Sequence, residues 1–302
     1  GYFLQNVDLD PGPGTLNFAS QGNYDSYVQK LNPNGTLAWA LAFQGSDAVL
    51  VEDLLTDSLG NVFVLGRFEG VVDLDPGSNV LLDTADASYD CFVVKLDPNG
   101  NLVWASTTDS PSSSFPGHFL FGGLVLDSGG NVIVGGTFSG TVDFDPGPGI
   151  LQKTSTTYMP FVWTLDGNGD LLSYFDFGGV EQALLEAIGI DDQDHLYLAG
   201  FYSDSLDADP GPGQSMLYSG LLEGLFVSKL KTDGTHQWSL TFANGITDHL
   251  NDLAVGPRGQ VAVCGKFQGT MDFDPGPGQA IQNGVGGFDG YTVQFDSSGN
   301  FE

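Results

Sequence analysis

Basic residues are the scarcest component of this 302-residue sequence. Only 8 Lys and Arg stand against 38 Asp and Glu, which gives a net charge of −30 at pH 7. Proteins that bind nucleic acid or an anionic lipid surface neutralise phosphates with a basic face. The composition therefore excludes both as partners.

Other common signals are also missing. No run of 18 apolar residues occurs, so we expect no membrane insertion. Cys91 and Cys264 fall at different places in the repeat described below, which predicts two free thiols rather than a disulfide. The four His share no spacing, which argues against a zinc site, and there is no G-x-S-x-G, P-loop or G-x-G-x-x-G motif. At 41% hydrophobic residues the chain can still bury a core.

Glutamate is rare in an otherwise acidic chain. There are six Glu against 32 Asp. A surface that is acidic only for solubility would use both residues. Asp is favoured where a side chain must bond its own turn or present oxygen to a cation. The bias therefore points to turns and to oxygen ligands.

An acidic octapeptide recurs at a nearly constant interval of roughly 65 residues, and a fixed period of this length is typical of stacked supersecondary units. Its apolar–Asp alternation predicts the end of a strand, its first Pro stops the hydrogen-bond ladder, and Gly-Pro-Gly turns the chain. The five copies are Val7–Gly14, Val72–Asn79, Val142–Gly149, Leu206–Gly213 and Met271–Gly278.

Each repeat also carries four strand patterns separated by turns. In the second copy they fall at 50–57, 61–68, 89–96 and 101–107, with the acidic segment in a long connection over 69–88. The pattern predicts an all-β fold of four-stranded antiparallel meanders. Units that are apolar on both faces stack, and strand twist closes the stack radially. We therefore expect a β-propeller of about five blades in a single domain over 1–302, with repeats I to V at approximately 1–48, 49–117, 118–183, 184–247 and 248–302.

Two longer motifs resemble a known family. They are D-x-x-G-N-V-x-V-x-G, at Asp57–Gly66 and Asp127–Gly136, and D-x-F-V-x-K-L-D-P-N-G-N-L-x-W, at Asp90–Trp104. Both are similar to the SBBP-type β-propeller repeats of secreted and cell-surface bacterial proteins. The resemblance implies a propeller, an extracellular setting, and a binding or scaffold role. The acidic insertion between the second and third strands departs from that family.

The two ends of the chain have the same phase in the repeat. Residues 266–302 repeat the pattern of residues 1–37. We therefore expect either a segment of a longer array or a ring whose first blade is incomplete. Trp39, Trp104 and Trp238 share one position in the repeat, and a large ring there is expected to pack between neighbouring blades.

The acidic loops are the candidate metal sites. A third acid follows the second by fifteen residues in three copies, while the equivalent residues in the other two are Pro160 and Gly224. Clustered carboxylates with carbonyls from a Gly/Pro loop suit calcium, which takes six to eight oxygens. The alternative is that each Asp only caps its own turn. The predicted calcium ligands are Asp8, Asp10, Asp25, Asp73, Asp75, Asp90, Asp143, Asp145, Asp207, Asp209, Asp272, Asp274 and Asp289.

A second segment, Asp166–Asp170, resembles the opening of a calcium loop. It lacks Gly at the sixth position and Glu at the twelfth, and it coincides with a hairpin turn elsewhere in the repeat. A turn is therefore the favoured interpretation.

Three classes of function remain. The first is a non-enzymatic extracellular propeller for adhesion, scaffolding or protein interaction, whose partners are surface proteins, glycans or further copies of the repeat. The second is a carbohydrate-binding propeller, and the third a propeller-fold hydrolase or lyase. A catalytic carboxylate pair is normally present once, whereas these acids occur five times, so we expect no enzyme.

Overall fold

The fold consists of β-strands joined by short turns. The computed structural model describes residues 1–110, 118–178, 182–242 and 249–302, without the side chains of 87, 88, 118 and 220–222, and it contains no helix in these ranges. In chain order the strands are β1 (Tyr2–Phe3), β2 (Asn6–Asp8), β3 (Asn17–Ala19), β4 (Asp25–Leu31), β5 (Leu37–Gly45), β6 (Val49–Thr56), β7 (Val62–Asp73), β8 (Leu82–Leu96), β9 (Leu102–Thr107), β10 (His118–Leu126), β11 (Val132–Asp143), β12 (Gln152–Leu165), β13 (Leu171–Asp176), β14 (Ala183–Ile190), β15 (His195–Asp207), β16 (Met216–Lys231), β17 (His236–Phe242), β18 (His249–Val255), β19 (Val261–Phe267), β20 (Thr270–Asp272), β21 (Ile281–Asn283) and β22 (Asp289–Phe295).

The strands form meanders, one in each repeat. The order is β6-β7-β8-β9 in repeat II, β10-β11-β12-β13 in repeat III and β14-β15-β16-β17 in repeat IV. Neighbouring strands in repeats II and IV pair antiparallel. Repeat I contributes β1-β4-β5 and repeat V contributes β18-β19-β22. The predicted all-β fold with four-stranded antiparallel sheets is confirmed.

The D-x-x-G-N motif folds the turn between the first and second strands. In repeat II, Asp57 Oδ1 accepts hydrogen bonds from the backbone N–H groups of Leu59 and Asn61, and Asn61 Nδ2 donates to Asp57 Oδ2. Gly60 has φ = +83°, a left-handed conformation that suits glycine. The same bonds recur at Asp97 and Asn101 between the third and fourth strands. The motif is therefore a self-contained turn.

The connection predicted over 69–88 is mostly strand, which corrects the expected loop. β7 continues to Asp73 and β8 begins at Leu82, so the acidic segment is the tip of a hairpin that lengthens both strands. The pairing shifts once, between Phe68 and Gly70. The shift leaves Glu69 of β7 and residues 86–89 of β8 out of the ladder, and repeat IV has a comparable shift between Ser203 and Ser205. The residue at this place in the repeat has positive φ in all five copies: Gln5, Gly70, Gly140, Asp204 and Gly269. The strand pattern did not reveal this irregularity.

The chain divides into two compact units. The first comprises Gly1–Phe119, Gly140–Thr154 and Asp166–Leu171, and the second Leu120–Ser139, Ser155–Leu165 and Leu172–Glu302. In the first unit, Val28 and Phe43 of repeat I pack in one core with Val64, Phe68 and Phe92 of repeat II. The second unit has an equivalent core shared by repeats IV and V. The predicted single domain of five repeats stays a prediction.

The repeated tryptophans join neighbouring repeats within each unit. Trp39 Nε1 donates to the Pro98 carbonyl (3.1 Å), Trp104 Nε1 to the Gly167 carbonyl (3.0 Å) and Trp238 Nε1 to the Ser297 carbonyl (3.1 Å). Each acceptor lies in the turn that follows the third strand of the next repeat. The expectation that this ring packs between repeats is confirmed.

Candidate functional site

Five acidic hairpin tips are the feature that the structure repeats most faithfully. In every copy the first Asp of the tip is the last residue of its strand, at the end of β2, β7, β11, β15 and β20. Its Oδ1 accepts two backbone hydrogen bonds of 2.7–3.2 Å. One comes from the N–H of the second Asp and the other from the N–H of the residue eight positions after the first Asp. The first Asp therefore closes the tip from one side to the other.

The second Asp of each tip folds the Gly/Pro segment. Its Oδ1 accepts the N–H of the Gly two residues later, at 2.7–2.9 Å. Its Oδ2 lies over the last Gly of the tip: a Cβ at Gly14 would be 2.2 Å from Asp10 Oδ2, and one at Gly149 would be 2.0 Å from Asp145 Oδ2. Repeat II has Asn79 at that place. Only a short side chain can bond this close to its own backbone, which explains why the tips use Asp rather than Glu.

The first acid of the repeat I tip is held in its ionised form. Hydrogen bonds from the backbone N–H groups of Leu16 and Asp10 hold the pKa of Asp8 below its usual range, since they favour the ionised carboxylate. The three residues after the first Pro are exposed in all five copies, whereas the second Asp is partly buried in four copies and buried in repeat II, where Asp75 is 8% exposed. Each tip thus carries two carboxylates on a stiff support.

The third acid of the predicted calcium site lies at the base of the hairpin and not at its tip. Asp25 pairs with Phe3 on the neighbouring strand, and Phe3 precedes the tip residue Asp8 by five residues. It is fully buried, with Oδ1 accepting from the N–H of Gly45 (3.0 Å) and Oδ2 from the N–H of Gln21 (2.7 Å). Asp25 therefore ties its own loop to the fourth strand.

Asp90 and Asp289 occupy the same position as Asp25 in repeats II and V. Asp289 Oδ2 accepts the N–H of Val285 at 2.7 Å. Asp90 is 2% exposed, and its Oδ1 has no hydrogen-bond partner among the described residues. Burial, reinforced by the charges of Asp109 and Asp83 and opposed by hydrogen bonds from Ser110, raises the pKa of Asp90 to about 7. The position therefore holds a structural acid. In repeat II one of its two carboxylate oxygens, Asp90 Oδ1, lacks a hydrogen-bond partner among the described residues.

The described parts of the chain do not assemble a three-carboxylate metal cluster. No group of three or more His, Cys, Asp or Glu side chains in them could hold a metal ion. The residues present therefore do not form the expected ligand set, because the third acid folds a separate loop. Whether the paired carboxylates at the tips bind calcium stays a prediction.

The second candidate segment also has a structural role. Asp166 Oδ1 accepts the N–H groups of Asn168 (2.7 Å) and Asp170 (3.1 Å), so Asp166–Asp170 is a hairpin turn, as favoured. Elsewhere in the described residues, Lys229 Nζ lies 3.6 Å from Asp191 Oδ2.

The acid of that pair belongs to a buried network. Asp191 also contacts His195 Nδ1 (3.1 Å) and accepts from the Tyr197 hydroxyl (3.2 Å). Tyr197 also reaches the Gly259 carbonyl, at 2.9 Å. The network resembles a catalytic cluster in composition, but it joins repeat IV to repeat V.

The structure contains a pocket that the sequence patterns did not predict. A cavity of about 460 Å³ in the first unit is lined by tyrosine, glutamate and arginine side chains, which we call the tyrosine pocket: Tyr2, Tyr24, Glu52, Arg67, Glu69 and Tyr89. The sequence signal that could have indicated this pocket is the concentration of two rare residue types, Glu and Arg, in one short stretch. Two of the six Glu and one of the two Arg in the chain fall between residues 52 and 69.

Part of the chain is similar to a known repeat protein. No family model matches the chain. A stretch of 128 residues, 41% of the chain, is 26% identical to an uncharacterized WD repeat-containing protein of Acanthamoeba polyphaga mimivirus, and covers 9% of that protein's length. In the described residues, none of the secondary structure is a helix long and apolar enough to span a membrane. The similarity is to a repeat protein whose own activity is uncharacterized.

Proposed function

We propose that the chain is part of a β-propeller that works as a non-enzymatic interaction module. The four-stranded meanders, the period of the repeat and the similarity to a WD repeat-containing protein support the propeller. The resemblance to SBBP-type repeats supports an extracellular or cell-surface setting. A crystal structure of the chain in which the repeats stack in a straight line would contradict the radial arrangement.

The observation that carries the function is repetition of the acidic tips. The same hydrogen bonds build the same pair of carboxylates five times. A reaction needs one site, whereas several copies of a weak contact on one body add up to strong binding. We therefore infer that the tips within each compact unit contact a partner with a positively charged surface, such as another surface protein.

A charge-matched pair of variants tests this inference. The tip variant replaces the second Asp of each tip by Asn: Asp10, Asp75, Asp145, Asp209 and Asp274. The control variant makes the same change in five hairpin-turn acids: Asp57, Asp97, Asp127, Asp166 and Asp296. Both sets accept backbone hydrogen bonds through Oδ1, which an Asn amide oxygen can still do, and both changes remove five charges.

The measurement is binding of the full chain to an immobilised poly-lysine peptide at physiological salt. We expect the tip variant to lose substantially more affinity than the control, because only the tip acids act as a group. Equal losses would show that net charge alone attracts the peptide, and the tips would then be turn formers. Turnover of a glycan or peptide that disappears on Glu52→Gln would overturn the non-enzymatic assignment.

A further inference from the structure

The tyrosine pocket contains an arginine that is held by three neighbours. Arg67 Nε lies 3.0 Å from Glu52 Oε1, and Arg67 Nη1 donates to the Phe119 carbonyl at 2.6 Å. The guanidinium carbon lies 5.0 Å from the centroid of the Tyr89 ring. Glu69 adds a second carboxylate to the wall of the cavity and interacts with the Tyr89 hydroxyl, so the pocket holds two acids and one base. The pocket therefore carries a net negative charge in a chain that is itself strongly acidic.

In two repeats a basic side chain on the second strand lies over an aromatic ring on the third strand, at the same two positions of the repeat. Arg67 is paired with Cys91 across β7 and β8, and its guanidinium lies over Tyr89, two residues before Cys91. Lys266 is paired with Gly290 across β19 and β22, and its Nζ lies 4.7 Å from the centroid of Phe288, two residues before Gly290. The register is identical. In both places the chain supplies a cation to an aromatic face.

Repeat I keeps the ring but replaces the cation. Tyr2 is paired with Ser26, so Tyr2 stands where Arg67 and Lys266 stand, and Tyr24 is the ring two residues before Ser26. The Tyr2 and Tyr24 rings meet edge to face, with centroids 5.6 Å apart and an interplanar angle of 86°. Among the described residues no cation lies over Tyr24. Tyr24 is 39% exposed and Tyr2 is 64% exposed.

We propose that the tyrosine pocket binds an organic cation carrying an ammonium group, against Tyr24 and Tyr2 and opposite Glu69. Aromatic rings with a nearby acid attract such a group, because the ring faces carry a negative partial charge and the carboxylate adds to the attraction. A cavity of about 460 Å³ accommodates a small amine or the end of a lysine side chain. A neutral saccharide would gain the stacking but none of the electrostatic attraction. The site is separate from the acidic tips and does not depend on their function.

The test compares a cation with its neutral isostere. Choline chloride is titrated into the full chain by calorimetry at constant ionic strength, and 3,3-dimethylbutan-1-ol replaces the quaternary nitrogen by carbon. We expect millimolar binding of choline and much weaker binding of the alcohol. Peptides containing lysine or trimethyl-lysine form a second arm: binding of choline alone indicates a free small amine, and binding of a peptide indicates a protein-borne ammonium group. If the alcohol binds as well as choline, or neither choline nor either peptide binds, the proposal is wrong.

Variants locate the binding site. Tyr24→Leu should weaken choline binding by about 2- to 30-fold, the range expected for loss of one cation–π contact, while Tyr24→Phe should retain binding. Phe288→Leu is the matched control at the equivalent position, where Lys266 already occupies the ring, and should have no effect. Glu69→Gln should weaken binding of choline and leave binding of the alcohol unchanged, and this variant decides the matter if Tyr24→Leu fails to fold. Unchanged choline binding in both Tyr24→Leu and Glu69→Gln would place the ligand elsewhere.

Discussion

A glycine in a hairpin turn should be required for the packing of one repeat against the next. Gly169 ends the turn that receives Trp104, and its φ is +88°. Trp104 Nε1 donates to the Gly167 carbonyl (3.0 Å) and Ser106 Oγ to the Gly169 carbonyl (2.7 Å). A Cβ at Gly169 would lie 2.6 Å from Ser106 Oγ and 2.8 Å from Trp104 Cε3. The change Gly169→Ala therefore introduces both backbone strain and a steric clash.

The two costs can be separated with a matched control. An alanine forced into the left-handed conformation costs ~1–2 kcal/mol. Overpacking against the indole and the serine adds ~1–3 kcal/mol, and displacing them weakens hydrogen bonds worth about 1 kcal/mol each. Gly35 has φ = +83° in the corresponding turn of repeat I, and a Cβ at Gly35 would have no atom within 4 Å. Gly35→Ala should therefore show the backbone cost alone.

Urea denaturation followed by tryptophan fluorescence and circular dichroism measures the difference. We expect Gly169→Ala to lower the free energy of unfolding by ~1–4 kcal/mol more than Gly35→Ala does, the added contribution of packing and weakened hydrogen bonds. The dependence on denaturant should stay similar, since both variants fold to the same surface area. Equal losses of stability in the two variants would refute the view that the turn glycine makes room for the tryptophan of the preceding repeat.

Three further outcomes are expected. Asp90→Asn should stabilise the chain at pH 8 and have little effect at pH 4, because burial raises the pKa of Asp90 to about 7. The stability that the protonated Asp90 carboxyl contributes is complete below the unfolded pKa of ~3.9 and is lost as the pH rises through 7, by on the order of 4 kcal/mol. Asp25→Asn should instead destabilise at both values, since both its oxygens accept backbone N–H groups, and urea denaturation giving the same sign for the two variants at pH 8 would contradict this. If calcium binds the tips, each site at ten times its Kd adds ~1.4 kcal/mol, so EDTA should lower the melting temperature and Asp73→Asn with Asp75→Asn should remove part of that response; a melting curve indifferent to EDTA and calcium would leave the Asp residues as turn formers. Cys91 is fully buried and burial raises the pKa of its thiol, so Ellman's reagent should modify it only as the chain unfolds, and rapid labelling of the native protein at this residue would show that the site is open.

Features that depend on a few consecutive residues could be predicted from the sequence. The first and fourth strands of repeat II, the D-x-x-G-N turns and the strand end at the first tip Asp follow from local patterns, and the structure places these two strands within one residue of the prediction. The second and third strands are longer than predicted, because the acidic hairpin extends both. The position shared by Trp39, Trp104 and Trp238 also predicted packing between repeats, because identical units stack with identical contacts.

Features that depend on residues far apart in the chain were decided only by the tertiary structure. Spacing alone placed a third acid beside the tip, but strand pairing puts Asp25 opposite Phe3, at the base of the hairpin. Asp25 and Asp90 are indistinguishable by position, yet only Asp25 has both carboxylate oxygens bonded to backbone N–H groups. The tyrosine pocket brings together side chains from residue 2 to residue 89, contributed by two repeats. No local pattern encodes such a site, because it arises from the register between strands and from the packing of one repeat on the next.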